Sequence, residues 1–239
     1  MERFIDAAAP NLNATQAIRK TTDEWRSFFT GMGEQSLLDF FDYALHEITL
    51  GSAFRGHAEE IDKSLQNAHS IYGVGEQGGR YCVIERVDPT VQAAVKEAVD
   101  ESGTAGQYLG KAWGQAYAVH PDPTGAYGNA VRAVETLLCP MLEPDASKPT
   151  LGTSNRVLRD QHGSPKSRWT FKIDSKIDPE QPVRDVVSMI TMLWNGQMDR
   201  HGGDETKTRP VTLEEARAAV LLAATLVGWL SAGYLVKTK

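Results

Sequence analysis

The sequence predicts a mainly α protein: an up-and-down helical bundle preceded by a small helical unit that closes with a β-hairpin. Three patterns predict it. Apolar residues recur with a helical period over most of the chain, Pro-marked turns such as Asp88-Pro89 and His120-Pro-Asp-Pro-Thr124 separate those stretches, and one β-rich run folds around Gly78-Gly79. At 239 residues, 41% hydrophobic and 23% charged, the chain can bury a sizeable core, either as one large domain or as a larger domain with a small N-terminal companion. The expected divisions are a loose arm over 1–22, a small α+β accessory domain over 23–88 and the helical bundle over 89–239.

Residues 1–22 are rich in Ala, Asn and Thr and carry no long periodic pattern. A first helix begins near Thr22, where an N-cap and an acidic first turn precede Trp25, Phe28 and Phe29 at helical spacing. Leu37, Leu38, Phe41, Leu45 and Ile48 mark a second helix, and a third covers Ala58 to Ala68. Ser70-Ile-Tyr-Gly-Val-Gly75 and the run from Arg80 to Val87 are two strands around a Glu76-Gln-Gly-Gly79 turn. Helices followed by a hairpin fit either a winged-helix unit, which would aim at nucleic acid, or a structural cap. These helices show no basic recognition face, which favours the cap.

Asp88-Pro89 opens the bundle. Helices are expected over Thr90 to Glu101 and Thr104 to Val119, the second with a stripe of Tyr108, Leu109, Ala112, Trp113 and Tyr117. Asp122 or Thr124 caps the next, which carries Tyr127, Ala130, Val131, Val134, Leu137 and Leu138 and is framed at its end by Pro140 and Pro144. A shorter segment runs from Leu151 to Arg159. Pro179-Glu180 opens a helix with Val183, Val186, Val187, Ile190, Leu193 and Trp194, and Thr212 with Glu215 makes a capping box for the last one. From Ala218 to Val236 no residue is charged, which reads either as a buried core helix or as a membrane tail anchor. The capping box and the small or polar Thr225, Gly228, Ser231 and Gly233 favour the core helix.

The net charge of −6 argues against a generic nucleic-acid binder, but its distribution is uneven. Residues 148–176 hold seven Lys and Arg against two Asp and Glu. Lys148, Arg156, Arg159, Lys166, Arg168, Lys172 and Lys176 thus form either a strip for RNA phosphates, with Trp169 and Phe171 as stacking faces, or a solvated basic loop. Cys82 and Cys139 sit among apolar neighbours without metal-ligand spacing, so buried thiols in a reducing cytoplasm are expected. The N-terminus shows no signal-peptide pattern. His46, His57, His69 and His120 are scattered, and there is no Walker loop, no GxGxxG with a following acid, no GxSxG and no HExxH; neither a metal nor a cofactor is expected. Gly73-Val-Gly75 is discounted as a phosphate loop because it does not open a helix. Arg132 and Glu135, at helical spacing, read as an intrahelical pair, and the spacing of Arg156 and His162 as chance.

Asp199-Arg200-His201-Gly202-Gly203 is the strongest chemical candidate. An imidazole can exchange protons near neutrality, and a guanidinium can hold a phosphate or a developing negative charge. Asn195, Gln197 and Asp199 lie close enough in sequence to orient the imidazole or contact a sugar. The alternative is a helix C-terminus closed by two glycines, with Arg200 and His201 answering the negative end of the helix dipole.

Three segments together resemble bacterial abortive-infection proteins with a C-terminal HEPN-like helical domain. They are Ala130-Val-Arg-Ala-Val-Glu-Thr-Leu-Leu138, Trp194-Asn-Gly-Gln-Met-Asp-Arg-His-Gly-Gly203 and Ala216-Arg-Ala-Ala-Val-Leu-Leu-Ala-Ala-Thr-Leu-Val-Gly-Trp-Leu230. The resemblance covers the chain from about residue 90 onward and implies phage defence by metal-independent RNA cleavage, usually as a homodimer, with His201 at the catalytic position. Where that family carries an arginine ahead of the histidine, this chain has Trp194, Asn195 and Gly196, and Arg200 is adjacent instead. The implied function is therefore either a diverged endoribonuclease using Arg200, His201, Asn195 and Asp199, or a non-catalytic HEPN-like sensor or partner-binding module, phage- or prophage-borne, that engages a phage or host protein.

Overall fold

The computed structural model describes residues 22–48, 55–77, 79–161, 169–173, 175–176, 178–196 and 209–237. Among them are nine helices and four short strands, the strands paired as two antiparallel ribbons. The chain divides into two compact units, Met1–Arg86 with Tyr117–His120 and Val87–Ala116 with Pro121–Lys239.

The first unit contains α1 (Thr22–Thr30), α2 (Glu34–Ile48), α3 (Arg55–Asn67), β1 (Tyr72–Gln77) and β2 (Arg80–Glu85). Its centre is Leu45, Ala58 and Val83, with Leu38, Phe41, Ile61 and Val74 packed around them. The hairpin register runs from Tyr72↔Glu85 to Gln77↔Arg80, so Glu76 and Gln77 belong to the strand rather than to the turn. Gly79 adopts φ 78°, the left-handed conformation such a tight turn needs. α3 closes through His69 at φ 52°, with the Ser70 N–H donating back to the Leu65 carbonyl at 2.9 Å, a Schellman-type closure that gives this lone histidine a backbone role.

Polar ties join these elements. Asp62 Oδ1 accepts from the Val74 N–H and from Arg86 Nη2, both at 2.8 Å, while Arg86 Nε donates to the Tyr72 carbonyl at 2.9 Å. β1 passes so close that a Cβ on Gly73 would meet the Arg86 guanidinium and the Asp62 carboxylate at 2.8 Å. Asp42 Oδ1 accepts from the Val83 N–H at 2.7 Å and fixes α2 to β2. His120 Nε2 lies 2.8 Å from Asp39 Oδ1, which holds residues 117–120 against α2.

The second unit contains α4 (Pro89–Glu101), α5 (Gly103–Tyr117), α6 (Pro123–Leu142), α7 (Leu151–Gln161), β3 (Trp169–Phe171), α8 (Gln181–Asn195), α9 (Leu213–Ser231) and β4 (Leu235–Lys237). Asp88 caps α4 by accepting from the Thr90 N–H, which lowers its carboxyl pKa. Asp122 rather than Thr124 caps α6, accepting from the Gly125 N–H and from Gln115 Nε2 at 2.8 Å each; Gln115 in turn accepts from buried Asn129 at 2.6 Å. Pro140 lies inside the last turn of α6 instead of ending it, which removes one rung of the helix ladder near its end.

α9 makes its broadest contact with α6 and further contacts with α4 and α8. Its buried face is Ala216, Ala219, Val220, Ala223, Ala224, Leu226, Val227 and Leu230. The uncharged run from Ala218 to Val236 is not one helix. After Ser231 the chain turns through Gly233 at φ 66°, and Leu235–Lys237 pairs with β3. Among the described residues no helix is long and apolar enough to cross a membrane. The β3–β4 ribbon is not expected from the sequence, because neither three-residue strand shows a pattern without its partner.

The expected capping box at Thr212 and Glu215 is present, and Arg209 adds an ion pair to it. The Arg209 hydrogen bond, followed by the Thr212 N–H, holds the Glu215 carboxyl down to about 2. A depressed carboxyl pKa stabilises the fold above the ordinary value and ceases to do so as pH falls through the folded value. Arg209→Gln should therefore move the Glu215 titration, followed by carboxyl NMR shifts, up toward 4.5. The stability difference between the two proteins should be full above that pH and vanish as pH approaches 2.

Candidate functional site

α8 owes its helix to a buried stripe of Val183, Val186, Val187, Ile190 and Leu193 at helical spacing. Its last carbonyls have no partner within the helix and need one from outside. Tyr127 of α6 supplies it: the buried phenol donates to the Leu193 carbonyl at 2.9 Å. The Gly196 N–H donates to the Met192 carbonyl at 3.2 Å, and a Cβ on Gly196 would lie only 2.1 Å from the Tyr127 oxygen. On the other side Trp194 covers Gly152 of α7 so closely that a Cβ there would be 2.4 Å from the indole.

Asn155 Nδ2 donates to Thr191 Oγ1 at 2.8 Å, and Thr191 Oγ1 donates to the Val187 carbonyl at 2.7 Å. The pairings of 152 with 194 and 155 with 191 make α7 and α8 antiparallel, so the start of α7 lies beside the end of α8. Glu135 Oε1 accepts from the Leu151 N–H at 2.8 Å and caps α7, while Arg132 is exposed; the expected Arg132–Glu135 pair gives way to this cap.

Asn195 is exposed on the last residue of α8. Asp199, Arg200 and His201, like Gln197, His162, Lys166 and Arg168, lie outside the described residues. Arg156 and Arg159 stand one turn apart on α7, both exposed, with Arg159 Nε 3.4 Å from Asp160 Oδ1. Lys172 is exposed just after β3, its N–H donating to the Tyr234 carbonyl at 2.8 Å.

Trp169 and Phe171 are not stacking faces. They are 7% and 6% exposed, because both point inward from β3: Phe171 packs on Trp229 at 5.1 Å between ring centroids and Lys237 sits 5.5 Å over Trp169. The basic segment therefore offers charge rather than exposed aromatic platforms at these two positions.

Both cysteines are buried thiols. Burial, aided by the negative charges of Asp42 and Glu76, pushes Cys82 up to about 12; burial also raises Cys139, whose sulfur accepts from Ser154 Oγ at 3.3 Å. Among the described residues no group of three or more His, Cys, Asp or Glu side chains is placed to hold a metal ion. The residues that fix the α8 end, Tyr127, Gly152 and Asn155, give no sequence signal of their own. Tyr127 reads as one more apolar position on α6, and a glycine or asparagine in a short helix has many explanations.

Tyr127→Phe should cost about 1–2 kcal/mol in denaturant unfolding, since it leaves a buried carbonyl without its donor. Gly196→Ala should cost about 1–3 kcal/mol by driving a methyl into the phenol oxygen. Because the phenylalanine ring has no such oxygen, the double variant should be more stable than the sum of the two losses predicts; strict additivity would refute the contact.

No protein-family model matches this chain, and no curated protein and no solved structure matches it either.

Proposed function

We propose that this chain acts on RNA in phage defence, as a homodimer, through the segment that leaves the anchored end of α8. The observation that carries the reading is that anchorage: Tyr127, Gly196 and the Trp194–Gly152 contact hold the helix end from two neighbouring helices. A reacting group has to be held within a fraction of an ångström to be effective, and the run Asp199-Arg200-His201 begins three residues after Gly196. Arg156, one turn along α7 from Gly152, adds an exposed cation on the helix that flanks this end.

In this reading His201 takes the proton of a ribose 2′-hydroxyl as its oxygen bonds to the adjacent phosphorus. The P–O5′ bond breaks, and the leaving 5′-oxygen receives a proton, giving a 2′,3′-cyclic phosphate and a 5′-hydroxyl end. Arg200 neutralises the charge that accumulates on the phosphoryl oxygens. Asn195, exposed at the helix end, contacts the sugar in this reading.

A second reading, a non-catalytic RNA- or partner-binding module, is favoured by the composition of the same end. Trp194 is committed to Gly152, and neither Asn195 nor Gly196 supplies a cation. The two readings separate cleanly. In the catalytic one, His201→Ala and Arg200→Ala each relieve growth arrest on expression and abolish cyclic-phosphate products while RNA affinity persists; growth arrest unchanged in both variants refutes it. In either, Arg156→Gln with Arg159→Gln should weaken RNA binding and lower the slope of log K against log salt by roughly 0.7 for each phosphate no longer neutralised. An unchanged slope would remove α7 from the interface.

A further inference from the structure

The first unit holds a cleft of about 560 Å³ that the RNA reading does not use. Leu38 and Phe41 of α2, Ile61 and Leu65 of α3, Tyr72 of β1 and Val83 of β2 form its body. Its size falls within the ~300–1,000 Å³ range of small-molecule sites, and an apolar body with a few polar groups on one wall is the usual make-up of such a site.

Polar bonds fix both helical walls to the hairpin. Asp42 ties α2 to the Val83 N–H, and Asp62 with Arg86 ties α3 to β1. Moving either helix off the hairpin would break hydrogen bonds whose partners are partly withdrawn from water.

Its polar wall is a single face of α3. His57, Glu60 and Ser64 are spaced i, i+3 and i+7 and all line the cleft. Glu60 is 77% exposed in its side chain, with His57 Nδ1 at 3.4 Å. The surroundings are acidic as well: residues 22–86 contain eleven Asp and Glu against five Lys and Arg. A fatty acid or other apolar anion would enter against this field, and an apolar cation would enter with it.

We propose that this cleft binds a small cationic amphiphile, with its hydrocarbon body between Phe41, Leu65 and Val83 and its positive head at the Glu60 carboxylate. This would give the first unit a ligand-sensing role of its own, independent of whether the second unit cleaves RNA.

The test is calorimetric titration of the full chain with decyltrimethylammonium below its micelle concentration, against decanoate of equal chain length. One saturable site is expected for the cation, with decanoate roughly tenfold weaker or worse. Ser64→Trp, which places an indole in the cleft from an exposed helix position, should abolish binding while the melting curve stays cooperative. Glu60→Gln, an isosteric change on the exposed polar wall that leaves the apolar lining intact, should weaken the cation about fivefold and narrow the gap to decanoate, and it tests the proposal even if Ser64→Trp unfolds. Absence of saturation, equal affinity for the two amphiphiles, or full binding by a folded Ser64→Trp protein would overturn the proposal. So would self-association, seen in sedimentation of the same samples, that Ser64→Trp abolishes, since the cleft would then be occupied by a second copy of the chain.

Discussion

The packing of α6 against α9 is the constraint on which the second unit depends. Ala126, Ala130 and Ala133 on one helix and Ala216, Ala219 and Ala223 on the other are buried. Side chains no larger than a methyl let two helix axes come toward the near end of the usual ~8–10 Å separation, and Val131, Val134, Val220 and Val227 are buried on the same two helices. Alanine contributes little apolar area by itself, so the stability of this pair comes from the density of contact, and a single enlarged side chain would separate the helices along their length. The buried face of α9, in contact with α4, α6 and α8, carries no charged residue.

What the alanines cannot do is fix the helix ends, and polar side chains do that at several of them. Thr212, Glu215 and Arg209 close the start of α9; Asp122, Gln115 and Asn129 close the start of α6; Glu135 closes the start of α7. Tyr127 belongs to this set, but it acts in the opposite sense, reaching from near the start of one helix to the Leu193 carbonyl near the end of another. The end of α8 therefore takes its position from α6, and α6 takes its own from α9. The chain beyond Gly196 thus leaves from a helix end whose position depends on the contact between two other helices of the unit.

The helices are legible in the sequence because they carry their own period and several carry their own cap, both local signals. Thr212 with Glu215, Asp122 before Pro123, and Asp88 before Pro89 announce helix starts without any knowledge of the fold. The β3–β4 ribbon is not legible, since Trp169 meets Lys237 across 68 positions and three residues are too few to show alternation. That one omission misdirects the reading of the basic segment: two aromatics among lysines and arginines look like stacking faces until a partner strand turns them inward. Glu135 misleads for a related reason. Its spacing from Arg132 satisfies a helix rule, but an unpaired N–H at the start of α7 competes for the same carboxylate and holds it. At the candidate site, the sequence indicates the segment and not its support, because the support consists of a tyrosine, two glycines and an asparagine whose meaning lies in what they touch.

The two units solve the problem of holding elements together by different means, and this bears on where each can act. In the second, small side chains bring helices into dense contact, which leaves polar groups to the helix ends and the segments between them. In the first, carboxylates and an arginine set the separation of α2, α3 and the hairpin by hydrogen bonds whose lengths do not depend on how well the apolar groups fit. A core spaced by polar ties can retain a cleft that a core spaced by alanines would close. Since those ties draw on Asp42 and Asp62, the same residues that keep the cleft open also contribute to the negative charge of the unit around it, so the shape of the site and its charge preference have a common origin.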